Sequence, residues 1–246
     1  EKKNWPRSIN TFASRLRWHC HFIQKLEDQP DIEFKNMHSS YDKLRNEKDN
    51  NLFFERWKNG LTGYPMVDAC MRSLIKTGWL NFRMRAMLMS FASYHLWLPW
   101  QITSKYLATL FTDYEPGIHY SQSQMQSGTT GINAIRIYNP VKQGIDHDPN
   151  GVFIKKWVPE LKNVPQKYIH MPWEENDCIK DYNFPIVEES EARKTAASKI
   201  YKLRKEKSHK IESKKIYIKH GSRKPRLKKI KKQVKIKKVE IQKNLF

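Results

Sequence analysis

Apolar residues recur along this chain mostly at spacings of three and four, the pattern of helices buried on one face. Ile9, Phe12, Leu16, Phe22, Ile23 and Leu26 predict a first helix over 9–26, capped by Ser8 after an extended Trp5-Pro6-Arg7 lead-in. Residues 28–51 are polar and irregular. A short helix over 52–58 ends at Asn59-Gly60, and residues 61–65 form a turn. Val67, Cys70, Met71 and Leu74 then share one face of a helix over 66–77, stopped by Gly78. Residues 81–98 are apolar on most sides, which predicts a central helix broken by Pro99, and 102–111 is another. From Phe111 to Pro140 the pattern fails. Residues 113–133 hold two carboxylates, two Tyr, a His, three Gln and three Gly, with little to offer a core. They predict a loop too long for a simple connection, and a polar ligand site is favoured over a solvated surface loop. Asp148-Pro149-Asn150-Gly151 opens a short helix over 152–157. Pro165, Pro172 and Pro185 punctuate an extended stretch. Residues 188–207 read as an amphipathic helix, followed by a tail alternating Lys with Ile or Val. The whole is an all-α body with long loops and no internal repeat.

At 246 residues the chain has ample material for a core, as one large domain or two small ones. No apolar run reaches the roughly 18 residues needed to cross a bilayer, and the start has no signal-peptide pattern. Cys20, Cys70 and Cys178 are isolated, which fits a reducing, intracellular (cytoplasmic) setting with thiols in or near the core. The formal net charge of +21 is uneven. Residues 191–246 hold 22 Lys/Arg against 4 Asp/Glu, leaving 1–190 close to neutral at +3. The body is therefore not a uniformly basic surface, and the polycation is the tail. The tail reads either as a salt-sensitive phosphate clamp or as a solvated, partly disordered charge run.

One ordered set of residues narrows the picture. Trp57, Gly60-Leu-Thr-Gly-Tyr-Pro-Met-Val-Asp-Ala-Cys-Met-Arg72, Thr77-Gly-Trp79 and Arg83-Met-Arg85 come first. Arg136-Ile-Tyr-Asn-Pro140, Gln143-Gly144, Asp148-Pro-Asn-Gly151, Trp157-Val-Pro-Glu-Leu161, Val164-Pro165 and Pro172-Trp173 follow. Together they resemble the FAD-binding helical domain of the photolyase/cryptochrome family, from about Ser14 to Pro185. The resemblance implies an all-α, multi-helix domain over 1–190, N-terminally incomplete, then a helix and Lys-rich tail over 191–246. It implies FAD as cofactor and blue-light-driven electron transfer, either to a pyrimidine dimer in DNA or within a light receptor. An N-terminal antenna domain, or a separate chain supplying it, is a further implied partner; a membrane is not.

The resemblance also assigns residues. Arg85 and Asp113 match an Arg–carboxylate pair beside the isoalloxazine, where a fixed guanidinium stabilises a reduced, anionic flavin. Asp113, Tyr114 and Glu115 match an acidic flavin-contacting tripeptide, and Phe12 a flavin-side aromatic. His119 falls where the family faces the flavin N5 edge, a place for donating to a flavin anion or exchanging a proton with it. Trp18 matches an aromatic wall for a flipped-out dimer, with Met125 near the second wall. Trp100 matches the middle of an electron relay. Arg15, Arg17, Lys25, Phe82, Arg83 and Arg136 are the remaining positions expected to meet DNA. The chain departs from the family pattern at Arg15 (commonly Glu), Phe82 (Asn) and Ser123 (the relay Trp nearest the flavin). Tyr114 or Tyr120 is then the substitute open to that relay. The His pair of the (6-4) branch is absent from 81–86. His19-Cys20-His21 is not a metal site on a helix, because residues two apart diverge by about 200°.

Overall fold

The computed structural model describes residues 5–45, 51–175 and 181–221. It is built of α1 (Trp5–Asp28), α2 (Asn51–Lys58), α3 (Pro65–Thr77), α4 (Phe82–Ser90), α5 (Trp100–Leu110), α6 (Pro116–Ser127), α7 (Pro140–His147), α8 (Val152–Trp157), α9 (Glu189–Arg204) and α10 (Lys207–His220). Short 3-10 turns fill much of the remainder, and there is no strand among the described residues. The all-α expectation holds. No described helix is long and apolar enough to cross a membrane.

The core is laid down by α3, α4, α5 and α8. Trp57, Met71, Leu74, Met87, Leu88, Phe91, Leu98 and Ile154 are fully buried in it. Truncating one of the aliphatic members to Ala costs about 2–5 kcal/mol. The turn before α3 is fixed from inside. Asp68, fully buried, accepts from Thr62 N at 2.8 Å, Thr62 Oγ1 at 2.6 Å and Gly63 N at 3.0 Å, and from the Tyr182 hydroxyl. Gly63 has φ +79°, and a Cβ there would lie 2.3 Å from the Phe184 carbonyl oxygen. The 182–187 stretch therefore threads directly over this turn, and Ile186 N donates to Thr62 O at 3.0 Å.

Four expectations are corrected. The first helix begins at Trp5, because Pro6 in its first turn needs no N–H partner and starts the helix rather than delaying it. The segment expected as a loop contains α6. Glu115 caps it, accepting from Gly117 N at 3.0 Å and Ile118 N at 2.8 Å; Pro116 opens it and Gly128, at φ 78°, closes it. The central helix is shorter than expected. After Ser90 the chain widens into one π-helical turn, Phe91–His95, and Trp97 then takes a left-handed φ of 54°. Finally, part of the expected tail is α10, held to the body by buried His209, Ile216 and His220. Residues 222–246, the rest of that tail, lie outside the described residues, as does Cys178. Cys70 is in the core, whereas Cys20 is exposed.

α9 packs on the π-helical turn, with Ala196 and Ile200 against Tyr41 and Tyr94. Arg204 at its end donates to Tyr41 Oη at 3.0 Å and to Asn133 O at 2.9 Å. Ser213 of α10 donates to Gly131 O at 3.0 Å, and Glu212 accepts from Ser39 N and Ser39 Oγ, both at 2.7 Å. The His38 and His209 rings stack at 4.0 Å. The last two helices thus clasp the 128–133 turn that follows α6.

Candidate functional site

α6 crosses both α1 and α4 and runs beside α5. Its first turn approaches α1 so closely that a Cβ on Gly117 would lie 2.9 Å from the Cα of Ile23. Its polar composition is used inward. Gln124, fully buried, accepts from Met37 N at 2.7 Å and donates to Ile32 O at 2.8 Å and Lys35 O at 2.9 Å. One amide side chain thus ties the 32–37 segment to α6, and α6 is held in one orientation.

That orientation opens a cavity of about 410 Å³ between α4, α5, α6 and the 111–115 turn. Apolar residues such as Leu80, Met89, Leu107 and Phe111 supply much of its wall, with Trp79 and Phe82 also lining it. Arg85 also lines it. Its Nη2 donates to Asp113 Oδ2 at 2.9 Å, its Nε to Leu80 O at 2.6 Å, and its guanidinium lies 4.2 Å from the Phe111 ring centroid. A cation held by three contacts keeps its direction when a ligand enters. Gln122 and Gln126 line the same cavity, and each has a buried Oε1 without a partner. Unpaired buried acceptors are costly, so they point to ligand N–H donors.

His119 lines the cavity one turn into α6. Its Nε2 lies 2.8 Å from Ser104 O and 2.9 Å from Ser104 Oγ, which itself donates to Ser123 Oγ at 2.9 Å. A carbonyl only accepts, so Nε2 carries the proton and Nδ1 keeps a lone pair. Burial, followed in the same direction by the Arg85 charge and opposed by the Ser104 carbonyl, holds the imidazole below its ordinary pKa. It is neutral at pH 7, with an acceptor to offer. Ser123 fills the place expected of a relay Trp with a short hydroxyl chain rather than a ring.

The structure brings Phe82, Arg85, Asp113, Tyr114, Glu115 and His119 to one cavity. Within this group Glu115 spends both carboxylate oxygens on the α6 cap. Phe12 is not among the lining residues. It stands 66% exposed on an outer stripe of α1 with Trp5, Ile9 and Leu16. Arg15 and Trp18 line a shallow groove with Arg7, Asn10, Thr11 and Ser14; Arg17, Arg83 and Arg136 are exposed, and Met125 is half-buried outside the cavity. Lys25 is buried rather than free on the surface. Trp100 is buried, donates from Nε1 to Asn36 Oδ1 at 2.7 Å, and meets Tyr120 edge-on at 6.4 Å. Tyr120 in turn meets Tyr114 at 6.4 Å and His119 at 5.2 Å. Sequence reasoning missed Gln122, Gln126 and Trp79 as cavity residues; the first two sit at a helical spacing of four from each other, a signal hidden when the segment is read as a loop.

Comparison with known proteins agrees with this arrangement. The family described as the FAD binding domain of DNA photolyase matches residues 12–202. A deoxyribodipyrimidine photo-lyase of Alkalihalophilus pseudofirmus is 34% identical over 202 residues, covering 78% of this chain and 42% of its own length. Cryptochrome-2 of Arabidopsis thaliana is 36% identical over 162 residues, 61% of this chain and 26% of its own. Among solved structures, an archaeal photolyase from Sulfolobus tokodaii with two FAD molecules superposes with TM-score 0.73 at 34% identity, covering 78% of this chain and 44% of that one. The chain thus spans less than half the length of these relatives.

Proposed function

This chain belongs to the photolyase/cryptochrome family through its FAD-binding domain, and from that premise we propose that it works as a blue-light-driven, photolyase-type lyase on pyrimidine dimers in DNA. FAD is the cofactor of this domain. The observation that carries the reading is the cavity itself: a fixed guanidinium, two orphaned amide oxygens and a neutral His119 within largely apolar walls. This donor set fits a flat heteroaromatic ring that carries N–H groups and takes negative charge.

FAD, when bound, supplies the light-driven electron transfer, and the protein supplies position and field. Arg85 holds a positive charge against the ring while Asp113 and Leu80 O keep it from swinging away. Gln122 and Gln126 accept hydrogen bonds that fix the ring's edge. His119 presents Nδ1 as a proton acceptor, its other nitrogen being committed to Ser104. Trp79, Phe82 and Tyr114 limit water at the lining. Exposed Arg15, Arg17, Arg83 and Arg136 meet the phosphates, with Trp18 and Met125 against the extruded bases and Trp100 in the electron route. An antenna domain, in a longer chain or a separate one, is the complementary partner, and a reducing intracellular setting suits the unpaired thiols.

The test is blue-light repair of a dimer-containing oligonucleotide by FAD-loaded protein with reductant, followed by the return of absorbance near 260 nm. Loss of dimer in the light and not in the dark supports the reading; flavin binding without repair refutes it. A light-receptor reading is favoured by one observation, the clasp of α9 and α10 on the turn that ends α6. It predicts no repair and a light-dependent change in protection of residues 189–220.

A further inference from the structure

Lys25 is left over by this reading. It is 7% exposed, and among the described residues its ammonium has neither a hydrogen bond nor an ion pair; the contact it makes is with the Phe22 ring, 5.5 Å from the centroid. Burial brings it down to about 8, so at pH 7 it remains mostly a cation. The charged groups around it are mainly of its own kind. His21 lies one turn earlier on α1 and is lowered by burial and then by Lys25. The end of α10 is brought to the same place through Gln29, whose Oε1 accepts from His220 Nε2 at 2.7 Å and from Lys219 Nζ at 3.0 Å. His220, 4% exposed, is lowered to about 4 by burial and by Lys25, Lys219 and His21, with Asp28 the carboxylate that opposes them.

Four basic side chains therefore converge around one carboxylate, and the most buried of the cations has no partner. A buried, unpaired charge is unfavourable unless a counter-charge joins it. A tetrahedral oxyanion accepts several charge-assisted hydrogen bonds at once and suits such a cluster. We propose that the ends of α1 and α10 form a phosphate seat, with Lys25 at its base and His21, Lys219 and His220 around it. The phosphate is either free or part of a nucleic-acid backbone. The second source rests on the proposed DNA substrate, and it is favoured by the chain that leaves the seat: residues 222–246 carry 11 Lys/Arg and one Glu.

The experiment uses the full chain with isotope-labelled histidine. Imidazole titrations are followed by NMR in inorganic phosphate and in chloride at equal ionic strength. Phosphate is expected to raise the titration midpoints of His220 and His21 by about 1 unit, and Lys25→Met, which keeps the length of the side chain, is expected to remove the response. In a second arm an undamaged oligonucleotide is titrated in the dark across salt concentrations. A log–log salt slope shallower by about 1 in Lys25→Met assigns the seat to a backbone phosphate. An unchanged slope with the phosphate response lost assigns it to free phosphate. Identical wild-type titrations in phosphate and chloride overturn the proposal, and this needs no variant to fold. Failure of light-driven repair leaves the inorganic phosphate arm untouched, so the two readings fail separately.

Discussion

Gln124 sets a sharp test of how α6 is held. Replacing it with Leu keeps the volume and removes three hydrogen bonds, those with Met37 N, Ile32 O and Lys35 O. Each such bond contributes about 1 kcal/mol net, and a buried backbone group left without a partner costs about 1–3 kcal/mol. Ile32 and Gln124 are both fully buried and Met37 is 6% exposed, so water does not replace the lost partner freely. The expected destabilisation is about 3–5 kcal/mol. It would be read from urea unfolding of the FAD-saturated protein in the dark, with the m-value unchanged. Gln124→Glu is expected to be no better, since an ionised carboxylate cannot donate to two carbonyls. Gln122→Leu is the control: its Oε1 has no partner to lose, so stability should change by less than about 1 kcal/mol. A loss below about 1 kcal/mol for Gln124→Leu would refute the idea that this one amide fastens the 32–37 segment to α6.

Arg85→Met should weaken FAD binding by about tenfold to a hundredfold, the range expected for a charge-assisted hydrogen bond, with Arg85→Lys intermediate; flavin fluorescence titration measures both. Stability should fall as pH drops from about 6.5 towards 4. His95, His209 and His220 are each lowered to about 4, chiefly by burial, so the unfolded chain binds protons there that the native state does not. The sign is fixed by linkage: their contribution is complete above the unfolded value and is lost as pH falls through the folded one. Urea midpoints at pH 7.5, 6 and 5 check it. Arg204→Met should release the 128–133 turn, seen as faster amide exchange there while the α3–α8 core stays protected.

Much of the fold was legible because its helices announce themselves by apolar spacing and by caps such as Gly78. α6 was not, although Glu115-Pro116 and Gly128 mark its ends, because its buried face is made of Ser121, Ser123, Gln124 and Gln126. Amides and hydroxyls can be core when the backbone offers partners, and a sequence does not state which partners arrive. α10 was hidden for a related reason: its net charge resembles a solvated run, while a few residues, His209, Ile216 and His220, fasten it. Of the site, Arg85, Asp113 and His119 came from motif position. Phe12 and Lys25 were legible as helical residues but not as exposed and buried, since a helix face acquires its surroundings only from what packs on it.

The π-helical turn at Phe91–His95 bears on how this chain tolerates change in length. Each residue of an α-helix advances about 100° around the axis, and a π turn holds one more residue than the α turn it replaces. Deleting a single residue between 91 and 95 would not simply shorten a connection. It would let the helix rewind and swing everything after it by roughly a quarter-turn. Trp97, clamped by the Arg45 and Lys199 cations at 4.6 and 4.7 Å, and Trp100, bonded to Asn36, would leave their partners together. Length variants should therefore be rejected inside this helix and accepted in the surface turns, an inversion of what burial alone would rank for a conservative one-residue change. The extra residue acts as a phase correction between the Arg85 end and the Trp100 end of the same continuous path.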